Sequence, residues 1–197
     1  MSFEGLKLSY MLSCFVLGLI VLSPTLVMVI TLPGGERFSE LWILGPGHMA
    51  EDYPFDVRAG ESYSVYVGVG NHMGSSSYYV VYVKFRNQSE ALPNATAGTP
   101  SPLSPLYKYR VFLEDGESWE GPLNFSFSGV LLSGNQYLVE RLRINGVVFT
   151  VDKLASWDGE NNGYFYQLFI ELWIYSADLD EFQFHNRFVG VWLNMGG

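Results

Sequence analysis

The sequence predicts an all-β protein: an immunoglobulin-like antiparallel β-sandwich preceded by a single transmembrane helix. Three observations carry this. Residues 10–32, YMLSCFVLGLIVLSPTLVMVITL, hold no charge. Beyond residue 35 the chain is rich in aromatic residues, Val and Gly, a composition that favours strands over helices. The same region breaks into roughly eight or nine segments of alternating or continuous apolar character, with no convincing helical period between them.

The apolar run reaches roughly 35 Å as a helix at about 1.5 Å per residue, enough to cross a hydrocarbon core. Thirteen of its residues are Leu, Ile, Val or Phe, each favouring insertion by about 0.3–0.6 kcal/mol at the membrane centre. Pro24 frees the Ile20 carbonyl, a break that membrane helices tolerate. A cleaved signal peptide would have a shorter apolar core and small residues at its end, yet no Ala precedes Ala50. Retention is therefore expected. Too few apolar residues precede Cys14 for a lipoprotein signal. Lys7 and the free amine precede the run, and Glu36 and Arg37 follow it. This slight bias places the N-terminus in the cytoplasm and residues 36–197 outside.

Residues 1–35 thus form tail, anchor and a Pro33-Gly34-Gly35 tether, and residues 36–197 form one domain, large enough for a core. That domain carries 10 basic and 19 acidic residues. Such a surface repels nucleic acid and anionic headgroups. Cys14 is the only cysteine, so the domain rests on its core without a disulfide.

Taken in order, residues 39–44 read as a first strand, ended by Gly45-Pro46-Gly47. Residues 51–54 are irregular and 59–61 a turn. Tyr63, Val65, Val67 and Val69 then alternate with Ser64, Tyr66, Gly68 and Gly70, the period of a half-buried strand. Residues 71–74 turn the chain into a partner strand, with Tyr79, Val81, Val83 and Phe85 inward and Lys84 and Arg86 opposite. Strands resume at 107–113 and 119–127. Segments 137–144 and 147–151 flank Asn145-Gly146, a strong hairpin signal. Residues 152–163 are polar and loop-like. Residues 164–175 make the longest strand, apolar enough on both faces to be central. Residues 178–184 turn, and 188–193 close the sheet.

Residues 87–105, NQSEALPNATAGTPSPLSP, interrupt the pattern. Four prolines among small polar residues offer little to bury, which predicts a mobile protruding loop. It holds two glycosylation acceptors, Asn87 and Asn94, and a third, Asn124, faces outward from a strand.

Several phrases resemble domain-of-unknown-function family 1616, a largely archaeal membrane family. They are Phe38-Ser39-Glu40-Leu41-Trp42 through Gly47, Ala50-Glu51-Asp52-Tyr53-Pro54, Val69-Gly70-Asn71-His72, Tyr109-Arg110-Val111-Phe112-Leu113, and Phe184-His185-Asn186-Arg187 through Asn194. The resemblance covers nearly the whole domain and implies an archaeal cell-surface setting. Larger members have several membrane helices before this region, where this chain has one. The family has no settled activity to transfer.

Little in the sequence points to catalysis. His48, His72 and His185 lie in separate loops without zinc-ligand spacing, so loop hydrogen bonding is the expected role. Asp158-Gly159-Glu160-Asn161-Asn162-Gly163 begins like a calcium loop, but its twelfth position is Phe169, which excludes an EF-hand. A looser calcium site there, or at Asp178, Asp180 and Glu181, stands against a plain solvated turn. No nucleophile elbow, P-loop or dinucleotide fingerprint occurs. Trp157, in a polar loop, is the best placed aromatic for a sugar platform, against the commoner role of packing.

The expected function is a non-enzymatic interaction or structural module of the cell envelope, without cofactor or metal, held in the bilayer by residues 10–32 and meeting envelope proteins or glycans. The alternative is an accessory subunit of a larger membrane complex, with Ser13, Cys14 and Gly18 lining a helix interface.

Overall fold

Strand alternation in the sequence becomes two five-stranded sheets in the computed structural model, which describes residues 3–30 and 36–195. Two compact units result, residues 1–37 and 38–197. The first is helix α1, Phe3–Ile30. Its side chains are described for Lys7 and residues 9–22, and the apolar ones among them are exposed. Among the described residues no helix is long and apolar enough to cross a membrane. The predicted anchor and tether continue into residues 31–35, outside the described residues.

The second unit holds ten strands: β1 Phe38–Leu44, β2 Asp56–Val57, β3 Ser62–His72, β4 Ser77–Asn87, β5 Tyr107–Leu113, β6 Ser118–Ser133, β7 Gln136–Ile144, β8 Val147–Ser156, β9 Phe165–Ser176 and β10 Glu181–Met195. One sheet runs β1-β3-β6-β7-β8 and the other β2-β10-β9-β4-β5. The first is antiparallel throughout. The second is mixed, because β2 lies parallel to the end of β10, which corrects the expectation of a purely antiparallel sandwich. The inner faces meet in one core. Val65, Val67, Val69, Leu123, Phe125 and Phe127 of the first sheet pack on Tyr79, Val81, Val83, Phe85, Tyr166 and Leu168 of the second. Phe85 joins the layers, 5.6 Å from the Phe127 ring and stacked on Tyr166 at 5.4 Å. Each such buried side chain contributes about 1.5–3 kcal/mol.

Turns follow local chemistry. Asn145 and Gly146 both take positive φ, 46° and 86°, the pair a two-residue hairpin turn with right-handed twist requires. β9 is covered on both faces, as its composition predicts. Elsewhere strands overrun their predicted ends. β8 continues to Ser156 through a register shift beside Asp152 (φ 44°), so residues 152–156 are strand rather than loop. β3 carries on through Asn71 and His72. β10 begins at Glu181, inside the predicted 178–184 turn, and bulges between Phe184 and Arg187.

The largest correction concerns residues 87–105. This segment lies folded over the outer face of the second sheet instead of protruding. Asn94 and Thr99 form a bridge at its tip. Lys84 and Arg86, expected to face solvent, are buried beneath it, as is Glu171. Lys84 Nζ is 2.9 Å from Glu171 Oε2 and donates to the Ser101 carbonyl. The Ser101 amide donates to Glu171 Oε1 at 2.9 Å. Arg86 donates to the Gln88 and Glu90 carbonyls. The segment supplies few apolar atoms of its own, but its backbone satisfies charges that the sheet cannot leave buried and unpaired.

Candidate functional site: an aromatic groove beside the last strand

The groove begins where β1 ends. Gly45 donates to the Met49 carbonyl, closing a tight reversal that sends the chain back along the sandwich. Tyr53 is pinned by its hydroxyl to the Ile43 carbonyl at 2.8 Å. Phe55 is fixed by β2, since Asn194 donates its amide to the Phe55 carbonyl at 2.7 Å. The Asn194 side chain donates to Asp56 Oδ1 at 3.0 Å and accepts from the Tyr164 amide at 3.1 Å. One asparagine therefore ties the β1–β2 connection, β9 and β10 together. Trp192 alternates with buried Val191 and Leu193 and so turns outward. The Arg86 guanidinium lies 5.1 Å from the centre of its ring, a cation–π contact that fixes the indole. Arg86 in turn donates to Gln167 Oε1 at 2.8 Å.

Two adjoining hollows share Phe55 and Trp192. The first, about 470 Å³, is lined by these rings with Phe165, Gln88, Asp158 and Asn161. The second, about 430 Å³, continues past Tyr53, Pro54 and Ile43. Such volumes fall within the range of small-ligand clefts, which are largely apolar with a few placed polar groups. Asp158 supplies the charge. Its Oδ1 accepts from the Glu160 and Asn161 amides at 3.0 and 3.2 Å. Its Oδ2 accepts from Asn161 Nδ2 at 2.8 Å and Gln88 Nε2 at 3.4 Å. These bonds, the Asn161 side chain foremost, hold the carboxyl below its ordinary pKa. Among the described lining residues it is the one carboxylate, so the groove presents an anchor for hydroxyl or amine donors and no acid–base pair.

The residues singled out from the sequence fall in different places. Asn87 is half-buried, its Oδ1 accepting from Ser89 and Glu90 and its Nδ2 donating to the Leu154 carbonyl at 2.8 Å. Asn94 and Asn124 are exposed. His48 stacks on Tyr66 at 3.7 Å and bonds Glu120. His72 stacks on Phe38 and sits 3.5 Å from Glu40. His185 lies between the sheets, 3.0 Å from Ser39 Oγ. Among the described residues no group of three or more His, Cys, Asp or Glu is placed to hold a metal. Residues 158–163 close on themselves through an Asp158–Gly163 bridge. Trp157 packs edge-on against Tyr164 at 5.1 Å, next to Asp158 and so near one end of the groove. Phe55, Phe165, Gln88 and Trp192 escaped the sequence reading. An outward Trp alternating with Val and Leu near a chain end was the available signal for one of them.

Three of the quoted phrases converge away from the groove. Tyr79 Oη donates to Asn71 Oδ1 at 2.9 Å and lies 2.7 Å from Ser39 Oγ, which meets His185 Nε2. Since the tyrosine proton goes to Asn71, Ser39 donates to Tyr79 and accepts from His185. This polar chain, running His185, Ser39, Tyr79, Asn71, passes between the sheets three times. Asn71 Nδ2 completes it by donating to the carbonyls of Ser75, Leu113 and Glu114.

A family model described as Domain of unknown function (DUF1616) matches residues 32–136, more than half of the chain. The chain belongs to the DUF1616 family. The match takes in β1 to β6, hence Ser39, Asn71 and Tyr79, while Phe165, Trp192 and the 184–194 phrase lie beyond it. No curated protein matches this DUF1616 chain. Among solved structures it is similar to a β-glucosidase from Listeria innocua in complex with gluconolactone, at 13% identity and a TM-score of 0.43, over 82% of this chain and 16% of the enzyme. It is also similar to a chain of the complex between zinc 2-glycoprotein and prolactin inducible protein from human seminal plasma, at 10% identity and a TM-score of 0.38, over 84% of this chain and all of that one. Likeness at this level transfers neither activity nor partner.

Proposed function

We propose that this DUF1616 protein is a single-pass, membrane-anchored module of the cell envelope, with its N-terminus cytoplasmic and its β-sandwich outside, acting by binding rather than catalysis. The observation that carries the binding role is the open aromatic groove with a single hydrogen-bonded carboxylate among its described lining residues. Anchoring draws support from α1, whose described side chains between Tyr10 and Leu22 are exposed and largely apolar, a surface that needs lipid or protein to cover it. The connections β3–β4, β5–β6 and β8–β9, each passing from one sheet to the other, favour an immunoglobulin-like sandwich. Exposed Asn94 and Asn124 are the acceptors best placed to carry glycans, and Asn87 the least.

The test is fractionation of native cells. The protein stays in the membrane through an alkaline wash, and protease added to intact cells reaches the sandwich. Release by the wash, or digestion only after lysis, overturns the reading.

An accessory-subunit role is the second reading. Leu131, Leu138 and Leu154 stand abreast on the outer face of β6, β7 and β8, with Leu131 and Leu154 exposed, a row suited to another protein. Stoichiometric partners that survive detergent extraction and crosslink near Leu131 would favour it.

A further inference from the structure

We infer that the groove takes a short neutral oligosaccharide, stacked on Phe55 and Trp192 and hydrogen-bonded along its rim by Asp158, Gln88 and Asn161. The inference rests on the binding role proposed above and names its ligand class. A sugar ring has an apolar face of C–H bonds and a perimeter of hydroxyls. The groove has the same two-part character. Phe55 and Trp192 are 49% and 42% exposed, and their rings present the negative face that attracts polarised C–H groups. Amide and carboxylate groups stand at one edge only, where hydroxyls would meet them. Both rings have a partner before any ligand arrives, Trp192 in Arg86 and Phe55 in the Phe165 ring at 6.1 Å, which lowers the ordering cost of binding.

Other occupants fit less well. An aliphatic chain offers no hydrogen bond to Asp158, Gln88 or Asn161 and would displace water from all three. Sugar hydroxyls provide such bonds. An acidic glycan meets the Asp158 carboxylate on a chain of net charge −9. Length follows from the two hollows, which lie side by side and share both exposed rings, so more than one sugar unit is accommodated.

The experiment uses the full chain in a detergent without a sugar headgroup. Diacetylchitobiose, cellobiose and mannobiose are titrated calorimetrically beside digalacturonic acid and trilysine. At least one neutral disaccharide is expected to bind saturably, and digalacturonic acid more weakly than it. Trp192→Ala and Phe55→Ala are each expected to weaken binding about tenfold or more, which is about 1.4 kcal/mol. Two sites on different segments are used so that misfolding of one variant, read by circular dichroism, does not decide the result. Absence of binding at ~10 mM sugar, tighter binding of digalacturonic acid or trilysine, or binding unchanged in both folded variants overturns the inference. If sugars fail while the sandwich remains protease-accessible on intact cells, only the ligand class falls. If the sandwich proves inaccessible, the envelope reading falls whatever the calorimetry gives.

Discussion

Glu171 is fully buried, and both of its carboxylate oxygens are used: one by the Ser101 amide, the other by Lys84 and the Trp173 indole N–H at 3.1 Å. Removing one member of such a set leaves the others buried without partners, at a cost of about 3–5 kcal/mol. Glu171→Ala and Lys84→Ala are each expected to lose stability on that scale in denaturant unfolding. The double Lys84→Met, Glu171→Leu variant should recover only part of it, because the Ser101 and Trp173 donors stay unsatisfied. A second residue-scale expectation concerns His185. Burial, with Arg187 adding to it, lowers its pKa below the usual 6.5. The native state then binds fewer protons than the unfolded one. Stability from this group is complete above pH 6.5 and falls as pH drops below that value towards the native pKa. His185→Gln, which can still donate to Ser39, should flatten that slope below about pH 6.5 in thermal melts. A slope unchanged by the substitution would contradict it. Neither residue's environment was legible beforehand. Lys84 and Arg86 sit at alternating positions that read as solvent-facing, Glu171 lies on the mixed second face of a strand read as central, and a one-dimensional pattern does not carry what folds back over a sheet.

At the scale of elements, legibility divides along the same physical line. The inward sets of β3, β4 and β9 follow from period two, and the β7–β8 hairpin from Asn145-Gly146, because both are properties of neighbouring residues. Strand ends and bulges are not. Asp152 (φ 44°) sits where β8 shifts register against β7, a shift set by the partner strand. Segment 87–105 departs from its expected mobility because composition measures only the apolar surface it brings, whereas its order comes from backbone groups meeting Lys84, Arg86 and Glu171. Asn194, which joins three segments behind the groove, is equally silent in sequence. The segment's attachment gives a direct prediction. Limited proteolysis should leave 88–105 uncut under conditions that cleave an ordinary proline-rich linker. Ser101→Pro, which deletes the amide donated to Glu171, should make it the first site of cleavage. Equal cleavage of the parent and the variant would show that these bonds do not hold it.

For the whole molecule, everything proposed about location turns on α1, and the only thiol of the chain gives a handle on it. Cys14 is exposed on the helix, amid apolar side chains that are themselves exposed. In water a thiol so placed would react with a maleimide. Inside a bilayer it is out of reach, because a charged maleimide does not enter the hydrocarbon. A comparison residue is available in Ser133, exposed at the tip of the β6–β7 hairpin, far along β6 from the Ser118 end beside which β1 begins. In intact cells, Ser133→Cys in a Cys14→Ser background should be labelled by an impermeant maleimide within minutes. Cys14 of the parent chain should stay unmodified until the membrane is dissolved in SDS, and then react fully. Labelling of Cys14 in intact cells at the rate of the hairpin cysteine would place α1 in water and remove the anchor. Protection of both thiols until lysis would instead put the sandwich on the cytoplasmic side, leaving the groove to meet the neutral saccharides of the cell interior rather than those of its envelope.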